Sequence, residues 1–253
     1  MKRRIASKLS AILAAGIPGL GALAVAGCGP QAQPKVEAPP ETGWVMPPEI
    51  DEAVPSGREL VVRGQASPLG RVVVSGAGGL AYAVGADAEG RFELRVPRPA
   101  HDTLFLVEAR VGQEGFPAPY RLLIGADPQA PIALLAVGAP SQRLDAAPGL
   151  DAVDTDGRGT LVSGRAAPNA EVIIEGSVQR RVTADETGRW RLAGSGDGAT
   201  PIQVAGVSYA PAPGGAATSD RLERAGLGWR IAWSSPGGGR QSTWFPDRTA
   251  MTR

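Results

Sequence analysis

One cysteine and one histidine, Cys28 and His101, occur in this chain of 253 residues. A zinc site built on thiolates and imidazoles needs three or four such ligands, so the composition excludes a zinc site of this kind. His101 and Asp102 could belong to a Ser-His-Asp arrangement, but the sequence contains no G-x-S-x-G nucleophile motif. We therefore interpret His101 as a turn residue before a strand, and we predict no catalytic residue, metal or cofactor.

Carboxylates offer the remaining route to chemistry. Paired acids can hydrolyse glycosidic bonds without histidine, so a hydrolase whose acids converge only in the folded chain is one alternative. Asp151, Asp154, Asp156 and Gly157 form D-x-x-D-x-D-G-x-G, which faintly resembles a calcium loop but lacks the bidentate Glu of an EF-hand. We interpret residues 141–157 as a solvated linker.

The first 27 residues have the pattern of a secretory signal peptide. Four basic residues and no acid occupy positions 1–8, and a weakly apolar stretch interrupted by Gly and Pro follows. A transmembrane helix needs ~20 strongly apolar residues. A positively charged start, an apolar run and small residues before a cleavage site are typical of export signals. The sequence predicts that residues 1–27 are removed on export.

The stretch Val25-Ala26-Gly27-Cys28 resembles the lipobox of bacterial lipoproteins. The resemblance implies a diacylglyceryl thioether on Cys28, cleavage before this residue and acylation of the new amino terminus. Because two or more lipid signals anchor a protein stably, the expected partner is a membrane, bound through Cys28. An aspartate directly after the lipidated cysteine would retain such a protein in the inner membrane. This chain has Gly29 there, which favours the outer membrane. The sequence leaves open whether the protein faces the periplasm or the cell surface.

The processed chain would carry 22 Lys and Arg against 25 Asp and Glu, a net charge of −3. Proteins that bind nucleic acid show a basic patch or stripe, so this charge balance argues against that class. With Cys28 acylated, no thiol is left for a disulfide or for a cysteine nucleophile. We therefore expect no nucleic-acid partner and no thiol chemistry in the exported part.

Residues 28–55 combine the cysteine with seven prolines. Such a segment forms a semi-rigid spacer with a rise of ~3.1 Å per residue, enough to hold a folded part about 80 Å from a bilayer. Trp44, Val45 and Met46 form an apolar cluster within it. We expect this cluster to pack against the first folded part, because an exposed apolar patch is unusual. A partner-binding segment is the alternative.

Two segments of the sequence recur in the same order. VRGQASPLGRVVVSG at 62–76 matches VSGRAAPNAEVIIEG at 162–176, and ADAEGRFEL at 86–94 matches ADETGRWRL at 184–192. Two ordered matches at nearly the same spacing indicate a duplicated module.

Alternation of apolar and charged residues predicts strands in both copies. Phe92, Leu94 and Val96 alternate with charged neighbours, a period of two that marks a half-buried strand. The Asp-x-x-Gly before them is type I turn chemistry, which we interpret as a hairpin connection. Seven such runs occur in each copy: 58–64, 70–76, 79–86, 91–96, 103–111, 118–124 and 130–137, then 159–164, 170–176, 178–184, 189–193, 201–208, 228–235 and 240–246.

The frame G-x-A-x-P-x-A-x-V-x-V, followed by A-D-x-x-G-x-[FW]-x-L, resembles bacterial Ig-like domains and the carboxypeptidase-regulatory-like family. The resemblance implies an all-β chain with two tandem seven-stranded Ig-like β-sandwiches. It implies no particular activity, because such domains serve many functions. We assign residues 56–140 to the first domain, 158–247 to the second and 248–253 to a tail.

The stretch GWRIAWSSPGGGRQSTWF predicts an aromatic hairpin near the C-terminus. Trp229 and Trp233 share one strand face, and a two-residue Gly-Gly turn would place Trp233 opposite Trp244. These three residues and Trp44 are the candidate binding residues, whereas burial of Trp229 and Trp233 in a core is the favoured interpretation. The cap pattern over residues 220–226 predicts a short helix.

These features predict a non-catalytic envelope lipoprotein whose tandem modules act as a structural or protein-binding subunit. The expected partners are the membrane and another envelope protein. A carbohydrate- or peptidoglycan-binding module is the alternative, which an exposed row of aromatic residues would favour. The hydrolase is the weaker alternative, which a pocket with several acids of perturbed pKa would favour.

Overall fold

The structure is a computed structural model that describes residues 45–145, 149–214, 220–234 and 239–248. Within these ranges the chain forms nineteen strands and one short 3₁₀ turn, Ala77–Gly79, and no α-helix. The prediction of an all-β chain is confirmed. Cys28 and Trp44 lie outside the described residues. No helix of the described part is long and apolar enough to cross a membrane.

The first half of the described chain contains two antiparallel sheets. One has the strand order β1-β2-β5 and the other the order β4-β3-β6-β7-β8-β9. Leu60, Phe92 and Val96 from the first sheet share one buried core with Phe105 and Leu122 from the second. The strands are β1 Glu49–Ser56, β2 Glu59–Gln65, β3 Arg71–Ser75, β4 Ala81–Gly85, β5 Arg91–Pro97, β6 Thr103–Val111, β7 Glu114–Ile124, β8 Ile132–Ala136 and β9 Gln142–Arg143.

The second half also contains two antiparallel sheets. Their strand orders are β14-β11-β10-β19-β18-β17 and β13-β12-β15-β16. Leu150, Trp190 and Trp244 from the first of these share a core with Val172 and Tyr209 from the other. The strands are β10 Leu150–Thr155, β11 Gly159–Arg165, β12 Glu171–Glu175, β13 Arg180–Thr183, β14 Arg189–Ser195, β15 Ile202–Val204, β16 Val207–Tyr209, β17 Leu222–Arg224, β18 Gly228–Ser234 and β19 Arg240–Pro246.

The repeated sequence segments fold in the same way in both halves. The order β1-β2-β5 corresponds to β10-β11-β14, and β4-β3-β6-β7 corresponds to β13-β12-β15-β16. A Cβ added at Gly64 would lie 2.8 Å from the ring of Phe92, and one added at Gly164 would lie 2.5 Å from the ring of Trp190. The glycine of the first repeated segment therefore makes room for the aromatic residue of the second.

The Asp-x-x-Gly turns do not form the predicted hairpins. β4 pairs with β3 and β5 pairs with β2, so the turn at Asp87 crosses between sheets. The carboxylate of Asp87 accepts hydrogen bonds from the backbone N–H of Glu89 at 3.0 Å and of Arg91 at 2.8 Å. The turn itself is as expected, but turn chemistry alone does not determine which sheet the next strand joins.

Residues 220–226 do not form the predicted helix. They contain β17, in which Leu222 pairs with Ile231 of β18. The backbone N–H of Leu222 donates to the carboxylate of Asp102 at 3.0 Å. Strand pairing and this long-range bond outweigh the local helix signals, because propensity is a weak determinant in a folded context.

The segments assigned to the tether and the linker contain strands. β1 lies almost entirely within residues 28–55, and its Ile50 is buried in the first core. β9 and β10 lie within residues 141–157, where Asp151 and Asp154 are buried rather than solvated. The first strand of each repeat thus lies at or before the domain start expected from the sequence.

The aromatic hairpin of β18 and β19 has a different register from the predicted one. Trp233 lies opposite Gln241, and Trp244 lies opposite Arg230. The two-residue Gly-Gly turn is therefore wrong, since five residues separate the last pair, Ser234 and Arg240. Trp244 and Phe245 are both buried, on opposite faces of the sheet, because this sheet is covered on both sides.

Candidate functional site

The outer face of β6, β7 and β8 is apolar and partly covered by the second half of the chain. Leu104, Leu123 and Ala133 lie side by side across these strands. The covering residues come from β10, β18 and β19. We call the resulting group the seam cluster, and its buried members are Leu123, Ala133, Leu135, Ala152, Ile231, Trp233 and Phe245.

The next row of the same sheet face borders an open cleft. Leu106, Arg121 and Leu135 are directly paired across the three strands. The cleft has a volume of about 600 Å³, and its lining also includes Val137, directly after β8, and Trp233 from the other half. Val137 is 48% exposed, so solvent reaches this part of the cleft. The cleft is thus the uncovered continuation of the seam cluster.

Two charged side chains line the cleft and differ in their pairing. Glu108 is buried, and its carboxylate accepts a hydrogen bond from Arg110 Nε at 2.7 Å. The Nε of Arg121 is buried without a hydrogen-bond partner in the described part of the chain. None of the ion pairs among the described residues includes Arg121. The lining therefore offers one cation that has no carboxylate partner.

Trp233 connects the cleft to a buried polar network. Its Nε1–H donates to Thr243 Oγ1 at 3.3 Å, and Thr243 donates to Asp154 Oδ1 at 2.7 Å. The Asp154 carboxylate also accepts the hydroxyl of Ser141 at 2.6 Å and its backbone N–H at 2.8 Å. Burial raises the pKa of Asp154 to about 6, and these hydrogen bonds oppose the rise.

A second buried group of charges lies between β9, β11 and the C-terminal residues. Arg143 is fully buried and donates to both carboxylate oxygens of Asp145, at 2.8 and 3.0 Å, and to the carbonyl of Pro246. Arg248 forms an ion pair with Asp145 at 2.8 Å. Because one guanidinium contacts both the end of the first half and the end of β19, these pairs join the two halves.

Asp151 has a comparable structural partner. Its carboxylate accepts from Arg165 Nε at 2.9 Å, and burial raises its pKa although Arg165 opposes the rise. Arg165 also donates to the carbonyl oxygens of Arg143 and Asp145. The acids that resembled a calcium loop are thus bound by arginine, by hydroxyl groups and by backbone N–H groups. In the described ranges, no group of three or more His, Cys, Asp or Glu could hold a metal ion.

The predicted binding residues do not form one surface. Trp233 belongs to the seam cluster and Trp244 to the second core, and both are fully buried. Trp229 is half-buried, with the guanidinium of Arg224 at 4.8 Å from its ring centroid. Trp44 lies outside the described residues. The described tryptophans therefore offer no row of exposed rings.

His101 and Asp102 do not line this cleft. His101 is exposed, and its carbonyl accepts the hydroxyl of Thr103 at 2.8 Å. The Asp102 carboxylate accepts the backbone N–H groups of Ala126 and Leu222. These hydrogen bonds connect loops. Among the described residues, none of them joins a nucleophilic side chain to the imidazole of His101.

No motif predicted the cleft, because its residues come from three strands of one half and one strand of the other. One signal was available in the stretches RLLIG and PIALLAV, which include Leu123 and Leu135. Continuous apolar runs are typical of strands buried on both faces. These two runs predict that another segment of the chain packs on the outer face of β7 and β8. They do not indicate which segment it is.

No protein-family model matches this chain, and no curated protein sequence matches it.

Proposed function

We propose that this chain is a non-catalytic lipoprotein of the cell envelope, anchored through Cys28, whose two Ig-like modules act as a structural or protein-binding subunit. The N-terminal pattern and the lipobox resemblance support the anchor. The absence of Asp after Cys28 supports the outer membrane as its location. The expected partner is another envelope protein.

The strand order supports two Ig-like sandwiches. In each half, two sheets share one core, and the first, second and fifth strands are neighbours in one of them. The third, sixth and seventh strands are neighbours in the other, as in Ig-like folds. The first half adds β8 and β9 to its second sheet, and the second half adds β17, β18 and β19 to its first. The fourth strand pairs with the third rather than the fifth, which differs from the constant-type arrangement. The repeated segments occupy equivalent strands in both halves.

The observation that carries the proposal is the packing between the halves. The seam cluster, the hydrogen bond of Arg143 to Pro246 and the bonds of Ser141 to Asp154 all join residues of both halves. Domains joined only by a linker move relative to one another unless their interface is large and apolar. A joined pair of modules suits a subunit that holds a partner at a fixed position.

In-cell crosslinking with mass spectrometry, using a tag after Arg253, tests the protein-binding role. A reproducible crosslink to one envelope protein is the expected result. Recovery of the chain only with glycan would contradict the proposal and favour the carbohydrate-binding alternative.

Replacing Cys28 with serine tests the anchor. Cys28→Ser should abolish acyl labelling and membrane retention, because the thioether cannot form. Folding should be unchanged, since residues 45–248 contain the described strands and cores. Membrane fractionation and labelling with an alkyne fatty acid measure both effects. A wild-type chain that takes up no label would refute the lipoprotein assignment.

A further inference from the structure

The cleft beside the seam cluster combines an apolar lining with one unpaired cation. Leu106 and Val137 supply accessible aliphatic surface, and the fully buried Leu135 and Trp233 lie beneath it. Arg110 neutralises Glu108 at 2.7 Å, so Arg121 is the remaining charge of the lining. A buried donor without a partner is costly, and a bound ligand is one way to satisfy it. The charge pattern fits an apolar ligand with a single anionic group.

A polypeptide is a poor occupant of this cleft. β8 ends opposite Tyr120 of β7, so the preceding part of β7 has a free edge on that side. Pro117 and Pro119 in this part have no N–H to donate, and proline on an edge prevents the addition of another strand. A peptide would bury amides that the lining cannot satisfy. An acyl chain has no such groups.

We propose that the cleft binds a fatty acid, with its acyl chain along Leu106 and Val137 and its carboxylate on Arg121. A guanidinium and a carboxylate form a strong charge-assisted pair. The volume of about 600 Å³ lies within the range of roughly 300–1,000 Å³ found for small-molecule sites. This binding goes beyond the proposed subunit role and does not depend on it.

Titration of the full chain carrying Cys28→Ser, which lacks the proposed acylation site, tests the binding. Sodium dodecanoate is the probe, followed by calorimetry and by tryptophan fluorescence. We expect saturable binding of one molecule, with an affinity that falls about fourfold for each methylene removed in the shorter acids. No saturable binding would overturn the proposal. Binding of lysophosphatidylglycerol without binding of dodecanoate would also overturn it, because the ligand would then be a phospholipid.

Two variants locate the site. Arg121→Gln should weaken dodecanoate binding by about tenfold, since the charge-assisted pair is lost, and should leave binding of 1-dodecanol nearly unchanged. Equal loss for both probes would refute the role of Arg121 as the partner of the head group.

Val137→Trp should abolish binding by filling the cleft. Val111→Trp is its matched control, because Val111 is 46% exposed against 48% for Val137 and does not line the cleft. Equal dodecanoate affinity of the two variants would place the ligand elsewhere and overturn the proposal. Melting temperatures verify folding, and the Arg121 variant decides the question if Val137→Trp does not fold.

Discussion

Asp154 is a buried carboxylate that has hydrogen bonds but no cation. Three donors from Ser141 and Thr243 contact it, and none of the ion pairs in the described ranges includes it. Ionisation inside the protein is therefore unfavourable, and the pKa of Asp154 is about 6 instead of 3.8. Between these two values the folded chain binds more protons than the unfolded chain, so this residue's contribution to stability falls as the pH rises.

Asp154→Asn should remove this pH dependence. The amide stays neutral. Its oxygen, at the position of Oδ2, can accept the backbone N–H of Ser141, and its NH2 group can donate to the hydroxyl oxygens of Ser141 and Thr243. Relative to the variant, the wild-type free energy of unfolding should fall by ~2 kcal/mol between pH 4 and pH 7. Urea unfolding at several pH values measures the difference. Parallel profiles for the two proteins would show that Asp154 does not titrate in this range.

Leu69 and Asn169 occupy equivalent positions with positive φ, 58° and 60°. Asparagine tolerates this conformation better than leucine does. Leu69 is 78% exposed, so its replacement loses little packing. Leu69→Asn should stabilise the chain by about 0.5–1 kcal/mol, and Asn169→Leu should destabilise it similarly. Urea unfolding measures both, and a loss of stability in Leu69→Asn would contradict the strain argument.

At the scale of elements, the sequence predicted those strands whose pattern is local. Phe92, Leu94 and Val96 are buried as their alternation indicates. β10 was not predicted because Asp151 and Asp154 are types usually found in solvent. The partner of Asp151, Arg165, lies on the next strand, and one partner of Asp154, Thr243, lies 89 residues along the chain. The cleft was not predicted either, because the contact of Trp233 with β7 is long-range and no local sequence pattern indicates it.

Gly164, the first glycine of the repeated segment in the second half, should be required for the packing of Trp190 against β11. Gly164→Ala would place a methyl group 2.5 Å from the Trp190 ring and against the backbone of Gly149. We expect a loss of about 1–3 kcal/mol, as for other overpacked positions. Gly194→Ala on β14 is the control, because nothing lies within 4 Å of its added Cβ. Thermal unfolding compares them, and equal melting temperatures would refute the packing account.

At the scale of the whole molecule, the proposed subunit role depends on the coupling of the two halves. The described residues belong to a single compact unit, and the seam cluster joins β7 and β8 to β18 and β19. Buried ion pairs such as Arg143–Asp145 add little net stability over apolar contacts. The coupling energy should therefore come mainly from Trp233 and its apolar neighbours.

Hydrogen exchange of the full chain in increasing urea tests this coupling, with β5 reporting on the first core and β14 on the second. Both strands should lose protection at the same urea concentration. Trp233→Ala should lower both midpoints together, because truncating a buried tryptophan costs ~3–5 kcal/mol. If β14 opens in the wild type while β5 stays protected, or if Trp233→Ala shifts only one of them, the two halves are independent and the account is contradicted.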